Sequence, residues 1–331
     1  MESIEIGNSG LRASRVGLGT WAIGGWMWGG TEEKDAIATI QQAVEQHGVT
    51  LIDTAPVYGF GQSEELVGKA LAEGGLRDKV VIATKVGLNW TEDKKPFRDS
   101  SPARLRQEIE DSLRRLKTET IDLYQVHWPD PKTPYGETAA VLEELKQEGK
   151  IRAIGVSNYS PAEMDDFRKG GSLDAVQPPL NLFEREIVKD VLPYAELNRL
   201  TALCYGALCR GLLSGKVTID REFEGDDLRK NDPKFQADTL PNYLAAVEEL
   251  QALAQERFGK SVLALAVRWV LDQGPTIALW GARKPSQLKA MDDIDGWHVD
   301  DAAKAEIDAI LKRHIPEPIS PSFMAPPSKA A

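Results

Sequence analysis

Cysteine is scarce: Cys204 and Cys209 are the only two in 331 residues, and they fall in one short segment. That leaves no disulfide framework, and the pair is read as reduced thiols. Histidine is as sparse. His47, His127, His298 and His314 are far apart and show no close-ligand spacing, so no metal site is expected. No apolar run approaches the ~18 residues of a membrane span. The opening MESIEIGNSG has neither the basic region nor the apolar stretch of a secretory signal. A cytoplasmic protein without a membrane partner is expected. Positive charge is also in deficit: 40 Lys and Arg against 51 Asp and Glu give a net charge of −11. That balance argues against nonspecific nucleic-acid binding and favours solubility. An anionic ligand needs cations gathered locally.

What the chain does have is rhythm. Apolar, β-rich runs recur at 15–20, 50–54, 79–84, 120–126, 151–156, 173–177, 201–205 and 276–280. Most are near-continuous, the pattern of strands buried on both faces. Helical segments lie between them. Ala36, Ile37, Ile40, Ala43 and Val44 form one apolar face, stopped at Gly48. Ser101-Pro102 places an N-cap before a first-turn proline, ahead of Leu105, Ile109, Leu113 and Leu116. Ser160-Pro161-Ala162-Glu163 reads as a capping box. Val141, Leu142 and Leu145 mark a further helix that stops near Gly149. No G-x-G-x-x-G follows the first strand, which weighs against a doubly wound open sheet. Eight strands alternating with helices predict a closed parallel (β/α)8 barrel.

One domain is expected over 1–331. Residues 1–14, with a turn at Gly7-Asn8-Ser9-Gly10, read as a hairpin capping one barrel end. Residues 214–241 are a long charged connection, and loops of that length are uncommon unless functional or disordered. Helices are expected at 242–258, 261–273 and 300–313, then a Pro/Ser/Ala-rich tail over 314–331.

In such a barrel the chemistry sits where the strands end. Asp53 closes the second strand, Tyr58 follows in its loop, Lys85 follows the third strand and His127 the fourth. Alone, each has an ordinary reading: a turn aspartate, a packed tyrosine, a surface lysine, a structural histidine. Together they make a proton-transfer group. A phenol with a pKa near ~10 shuttles protons poorly at neutral pH unless that value falls. A neighbouring ammonium would lower it, and a carboxylate would hold the ammonium. His127 could hydrogen-bond a carbonyl oxygen. At the same rim Trp21, Trp26, Trp28, Trp90 and Trp128 suggest aromatic walls for a small-molecule pocket.

DTAPVYG with Ser63-Glu64 following, ATKVG, DLYQVHWPD, IRAIGVSNYS, LNLFERE, CYGALCRGLLSGK and WGARKPSQL resemble the aldo-keto reductases in order and spacing, over about residues 3–313. The resemblance implies hydride transfer between a nicotinamide and a carbonyl or alcohol. Tyr58 would be the acid in reduction and the base in oxidation. Asp53 and Lys85 would tune it, and His127 would position the substrate oxygen. Ser157, Asn158 and Gln177 would bind the nicotinamide carboxamide, with Tyr205 stacked on its ring. Thr20, Trp21, Gly206, Leu208, Arg210, Gly211, Lys216, Gly281, Arg283, Lys284 and Gln287 would line the rest of the cofactor site.

Arg283 and Lys284 also stand just before an expected helix, where cations oppose the helix dipole. Such a placement makes sense if they meet an external phosphate, so NADP(H) is expected through its 2′-phosphate. Similarity to members of the glycerol dehydrogenase and glyceraldehyde reductase type implies small carbonyls and polyols as substrates; a monomer is expected. Two other readings account for part of the residues. Lys85 could form a Schiff base in a barrel lyase, or the chain could be a noncatalytic cofactor-sensing subunit.

Overall fold

The structure is a computed structural model and describes residues 1–328. A hairpin of β1 (Ser3–Glu5) and β2 (Arg12–Ser14) comes first. Then follow β3 (Val16–Gly19), α1 (Glu33–Glu45), β4 (Leu51–Asp53), α2 (Gln62–Gly74), β5 (Val81–Val86) and an outlying hairpin of β6 (Leu88–Trp90) and β7 (Pro96–Arg98). The chain continues through α3 (Pro102–Leu116), β8 (Ile121–Val126), α4 (Tyr135–Gln147), β9 (Ile151–Ser157), α5 (Pro161–Phe167), β10 (Ala175–Gln177) and α6 (Val191–Leu197). It ends with β11 (Thr201–Cys204), α7 (Leu240–Phe258), α8 (Val262–Leu271), β12 (Thr276–Gly281) and α9 (Asp301–His314). Strands β3, β4, β5, β8, β9, β10, β11 and β12 pair in parallel in that order, and β12 closes on β3. This is the (β/α)8 barrel that the alternation predicts.

Side-chain alternation sorts every barrel strand into two faces. Leu51, Val81, Ala83, Leu123, Ala153, Ala175, Leu203, Ile277 and Leu279 pack together in the interior. Their strand neighbours Ile52, Ile82, Ile154, Val176 and Trp280 join the layer under the helices. Ile6, Leu11 and Ala13 from the β1–β2 region join the interior cluster. Thr201 at the start of β11 bonds Glu5 O and Gly7 N, so the hairpin plugs the end where the strands begin. Following the interior parity toward the other end gives Asp53 after Leu51, Lys85 after Ala83, Gln125 after Leu123, and Gln177 after Ala175. Apolar residues fill the base of the barrel, and the same alternation aims polar groups at its open rim.

Several local expectations are refined. The Ser160–Glu163 capping box forms as written. Ser101 does not cap α3, because its hydroxyl donates to Asp99 instead (2.7 Å), although Pro102 opens the helix. No α-helix begins directly after Lys284. Two 3₁₀ turns follow instead, at Pro285–Gln287 and Lys289–Asp293, so the dipole argument for Arg283 and Lys284 loses its helix. The 214–241 connection carries 3₁₀ turns at Leu228–Lys230 and Pro233–Phe235, whose first amides are capped by Asp227 and Asp232. The tail after α9 returns to the rim, where Arg98 donates from its backbone to Pro327 O (3.0 Å) and from Nε to Pro326 O (2.9 Å). The last three residues of the expected 314–331 tail lie outside the described residues. Among the described residues no helix is long and apolar enough to cross a membrane.

Candidate active site

The loop after β4 carries Tyr58 and is fixed from three sides. Gly61 N bonds Pro56 O (2.7 Å) and Ser63 N bonds Tyr58 O (3.1 Å). Gly59 lies so close to the loop after β3 that a Cβ there would stand 2.2 Å from Gly24 O. Its φ of +69° is also one that glycine tolerates best. Beneath it, the Ser63 hydroxyl bonds Thr20 Oγ1 (2.7 Å) and Thr54 Oγ1 (2.9 Å), tying α2 to the ends of two strands. Glu64 accepts from Thr84 and Arg115 (2.6 Å each). The Ser63-Glu64 pair therefore braces the loop.

Asp53, Tyr58, Lys85 and His127 do converge. Lys85 Nζ is fully buried and donates to Asp53 Oδ1 (2.6 Å) and Thr54 O (2.9 Å). It stands 5.0 Å from the centre of the Tyr58 ring. The His127 ring meets Tyr58 edge-on at 5.7 Å, and Trp21 stacks on its other side at 5.9 Å. Asp53 Oδ2 accepts from Gln177 Nε2 (2.8 Å) and Gln125 Nε2 (3.3 Å). Among the described residues the Tyr58 hydroxyl has no hydrogen-bonded protein partner, so it is free for a ligand.

Burial dominates the electrostatics of this group. Burial, with the Asp53 charge second, pushes the Tyr58 phenol well above its ordinary value near 10. Burial also pulls the Lys85 ammonium down, against the opposing pull of Asp53 and then Glu64. His127 is held well below 6.5 by burial and by Lys85. At neutral pH the site thus holds a protonated phenol and an uncharged imidazole, a pair suited to donating toward an oxygen.

Two cavities meet at Tyr58. The first, about 450 Å³, is lined by Thr20, Trp21, Gly206, Leu208, Gly211, Lys216, Arg221, Arg229, Gly281, Arg283 and Gln287 among others. Lys216 and Arg221 have no ion-pair partner among the described residues, and Arg283 Nη1 reaches only the Trp28 and Gly30 carbonyls (2.6 and 3.0 Å). Positive charge gathers here on an anionic chain, and two buried indole N–H groups in the lining, of Trp21 and Trp28, are unpartnered. The residues fit an elongated ligand that carries phosphate. The Asp226 carboxylate in the long connection accepts from Met27 N (2.8 Å) and Gly29 N (3.0 Å), tying that segment to the loop after β3 beside the second cavity, which Asp226 and Met27 line.

The second cavity, about 410 Å³, is mainly apolar and lined by Trp21, Trp26, Val57, Leu88, Trp128, Leu228, Phe323, Met324 and Pro326, with His127, Ser157, Asn158 and Gln177 at its base. Trp21, Tyr58, Tyr205 and Met324 line both cavities.

Some expected residues land elsewhere. Trp28 belongs to the first cavity, and Trp90 lines neither, packing instead on Phe60 at 5.5 Å. Lys284 is exposed and lines neither. Arg210 lines the first cavity, but its guanidinium is spent on buried Glu184 and Asp232. Asn158 uses both amide hydrogens on His127 O and Ser157 Oγ (3.0 Å each), and its oxygen accepts from Tyr205 OH (2.8 Å). Gln177 keeps an amide oxygen with no partner among the described residues. Gln125, Arg229 and the tail residues Phe323 and Met324 are additions that the sequence reading lacks. Among the described residues there is no cluster able to hold a metal ion.

The sequence pattern of the aldo/keto reductase family matches residues 15–312. The chain belongs to that family. It is therefore an oxidoreductase of a class that uses nicotinamide cofactors. It is 58% identical to aldo-keto reductase YhdN of Bacillus subtilis (strain 168), over 99% of each chain. It is 37% identical to the NADH-specific methylglyoxal reductase of Escherichia coli (strain K12), over 87% of this chain and 92% of that one. The solved structure of a glycerol dehydrogenase from Gluconobacter oxydans shares 59% identity and a TM-score of 0.88, over 98% of this chain and 99% of that one. A barrel lyase is disfavoured by geometry as well, since Lys85 Nζ is enclosed by Asp53 and Thr54 and has no exposed face for a Schiff base.

Proposed function

We propose that this reductase is NADP(H)-dependent and interconverts small aldehydes or ketones with their alcohols, glyceraldehyde-like and glycerol-like compounds first among them. The observation that carries the reading is the position of Tyr58, on the shared wall of a cation-rimmed cavity and an aromatic one. A nicotinamide bound there would supply or receive the hydride. Tyr58 would give its proton to the carbonyl oxygen, and His127 would hydrogen-bond that same oxygen. Asp53 and Lys85 would hold the local charge fixed. The free oxygen of Gln177 suits an amide N–H of the carboxamide, with Ser157 and Asn158 fixing that end and Tyr205 beside the ring. Trp26, Trp128 and Val57 would enclose the carbon chain. The same reading makes it one catalytic domain, a cytoplasmic monomer with its two cysteines free and buried.

The charge states fix the pH dependence. Reduction needs the neutral phenol, present at every pH below a value that lies well above 10. Its kcat is expected to stay flat from about pH 6 to 9, because His127 does not take up a proton in that range either. Oxidation needs Tyr58 deprotonated, a fraction that grows about tenfold per pH unit below its pKa. Alcohol oxidation is therefore expected to climb without a plateau through about pH 9. A plateau near neutrality would show that the phenol is acidified after all.

One relative is named NADH-specific. The case for NADP(H) rests on Arg283, Lys216 and Arg221 in this chain. Arg283→Ala is expected to lower the ratio of NADPH to NADH efficiency in glyceraldehyde reduction by about ten- to a hundredfold, the worth of one charge-assisted contact. Steady-state kinetics with both cofactors measure this. An unchanged ratio would remove Arg283 from the 2′-phosphate site.

A further inference from the structure

Gln125 stands near the end of β8, among Leu123, Tyr124 and Val126, and is fully buried. Its position in β8 is in register with Lys85 on one side and Gly155 on the other. The space for its side chain is kept by that glycine: a Cβ on Gly155 would stand 2.8 Å from Gln125 Cγ. Gln125 Nε2 donates to Asp53 Oδ2 (3.3 Å), and its Oε1 accepts from Gln177 Nε2 (3.2 Å). Gln177 Nε2 also donates to Asp53 Oδ2 (2.8 Å).

The directions of these bonds are dictated by charge. An ionised carboxylate accepts only, so both glutamines must turn an NH2 toward Asp53. Gln125 turns its oxygen to Gln177 Nε2, and Gln177, with its NH2 on both Gln125 and Asp53, directs its own oxygen away from Asp53. We infer that Gln125 is a positioning residue: it locks Gln177 in the orientation that offers an acceptor to the nicotinamide carboxamide, and so couples cofactor seating to the Asp53–Lys85 pair. The inference rests on the proposed role of Gln177.

Two substitutions separate this role from packing. Gln125→Leu keeps the volume and removes both polar contacts. Its NADPH dissociation constant, read by quenching of tryptophan fluorescence, is expected to rise about tenfold, the loss of one net hydrogen bond. Gln125→Glu gives a signature that packing cannot mimic. In its acid form the side chain can donate to Asp53 and accept from Gln177, as glutamine does. Once ionised it can do only the second and repels Asp53. The ionisable groups around it are Asp53, Lys85, Tyr58 and His127 inside the rim, with Glu64 behind Thr84. The affinity of Gln125→Glu, taken relative to wild type at each pH, is therefore expected to be near normal at the acid end of pH 5–9 and to weaken as pH rises.

If both variants bind NADPH like wild type at every pH while Gln177→Leu binds it weakly, the inference is wrong and the nicotinamide site stands. If Gln177→Leu also binds like wild type, the site reading itself fails and takes the inference with it. Should Gln125→Leu fail to fold, the pH trend of Gln125→Glu decides alone.

Discussion

Tyr58→Phe is expected to cut the kcat of carbonyl reduction by about a thousandfold, within the ~10²–10⁴ range of a general acid, while NADPH affinity stays within about twofold. The separation follows from what the hydroxyl touches. Among the described residues it has no hydrogen-bonded protein partner, so its removal leaves no buried group unsatisfied. The ring keeps its stack on Trp21 and its edge contact with His127. The thermal midpoint should therefore hold steady. The residual reduction rate should lose any dependence on the ionisation of Tyr58, and alcohol oxidation should lose its alkaline climb. Fluorescence titration and stopped-flow reduction of glyceraldehyde measure both quantities on one sample. Turnover within tenfold of wild type would remove Tyr58 from proton transfer.

Much of this scaffold is readable from residue order because burial on both faces leaves a plain mark. A strand such as VVIATKV has no solvent side, and its one charged residue stands out near the end. The β6–β7 hairpin escapes because each strand is three residues long and half-exposed, without alternation to mark it. The tail escapes for a related reason. Its Pro- and Ser-rich composition reads as a loose end, yet Arg98 fastens it where Phe323 and Met324 complete the second cavity. The expected helix after Gln287 breaks into 3₁₀ turns as Leu288 and Met291 pack into the core.

The site is legible in membership and opaque in polarity. Asp53, Tyr58, Lys85 and His127 announce themselves by standing at strand ends. The state of the phenol depends on burial and on the nearness of the Asp53 charge, and neither is written in one dimension. Gln125 shows the limit from the other side. A glutamine between Leu123-Tyr124 and Val126 is a polar residue near the end of a buried strand, and that placement is a signal. Its meaning appears only when barrel register sets it level with Lys85 and opposite Gly155. Arg210 errs in the opposite sense: it lies in a stretch that lines the first cavity, but Glu184 and Asp232 occupy its guanidinium.

Lys85→Met carries the second large effect, on stability and activity together. Asp53 is buried, and its carboxylate would keep only the two glutamine amides as side-chain donors. Removing one partner of a buried pair costs about 3–5 kcal/mol, because the remaining charge is left without compensation. For 331 residues at ~2.1 cal/mol/K each the unfolding entropy is ~0.7 kcal/mol/K, so the midpoint should fall by about 4–7 °C. Reduction should fall by at least about a hundredfold, as the fixed charge beside Tyr58 is lost. Adding Asp53→Asn to this variant separates the two effects. A neutral amide no longer needs a cation and its oxygen can still accept from Gln125 or Gln177, so most of the midpoint should return. Activity should not, because no ammonium stands beside the phenol. Calorimetry and kcat on the single and double variants test this. A double variant as unstable as Lys85→Met would mean that lost packing of the lysine stem, rather than the stranded Asp53 charge, sets the cost.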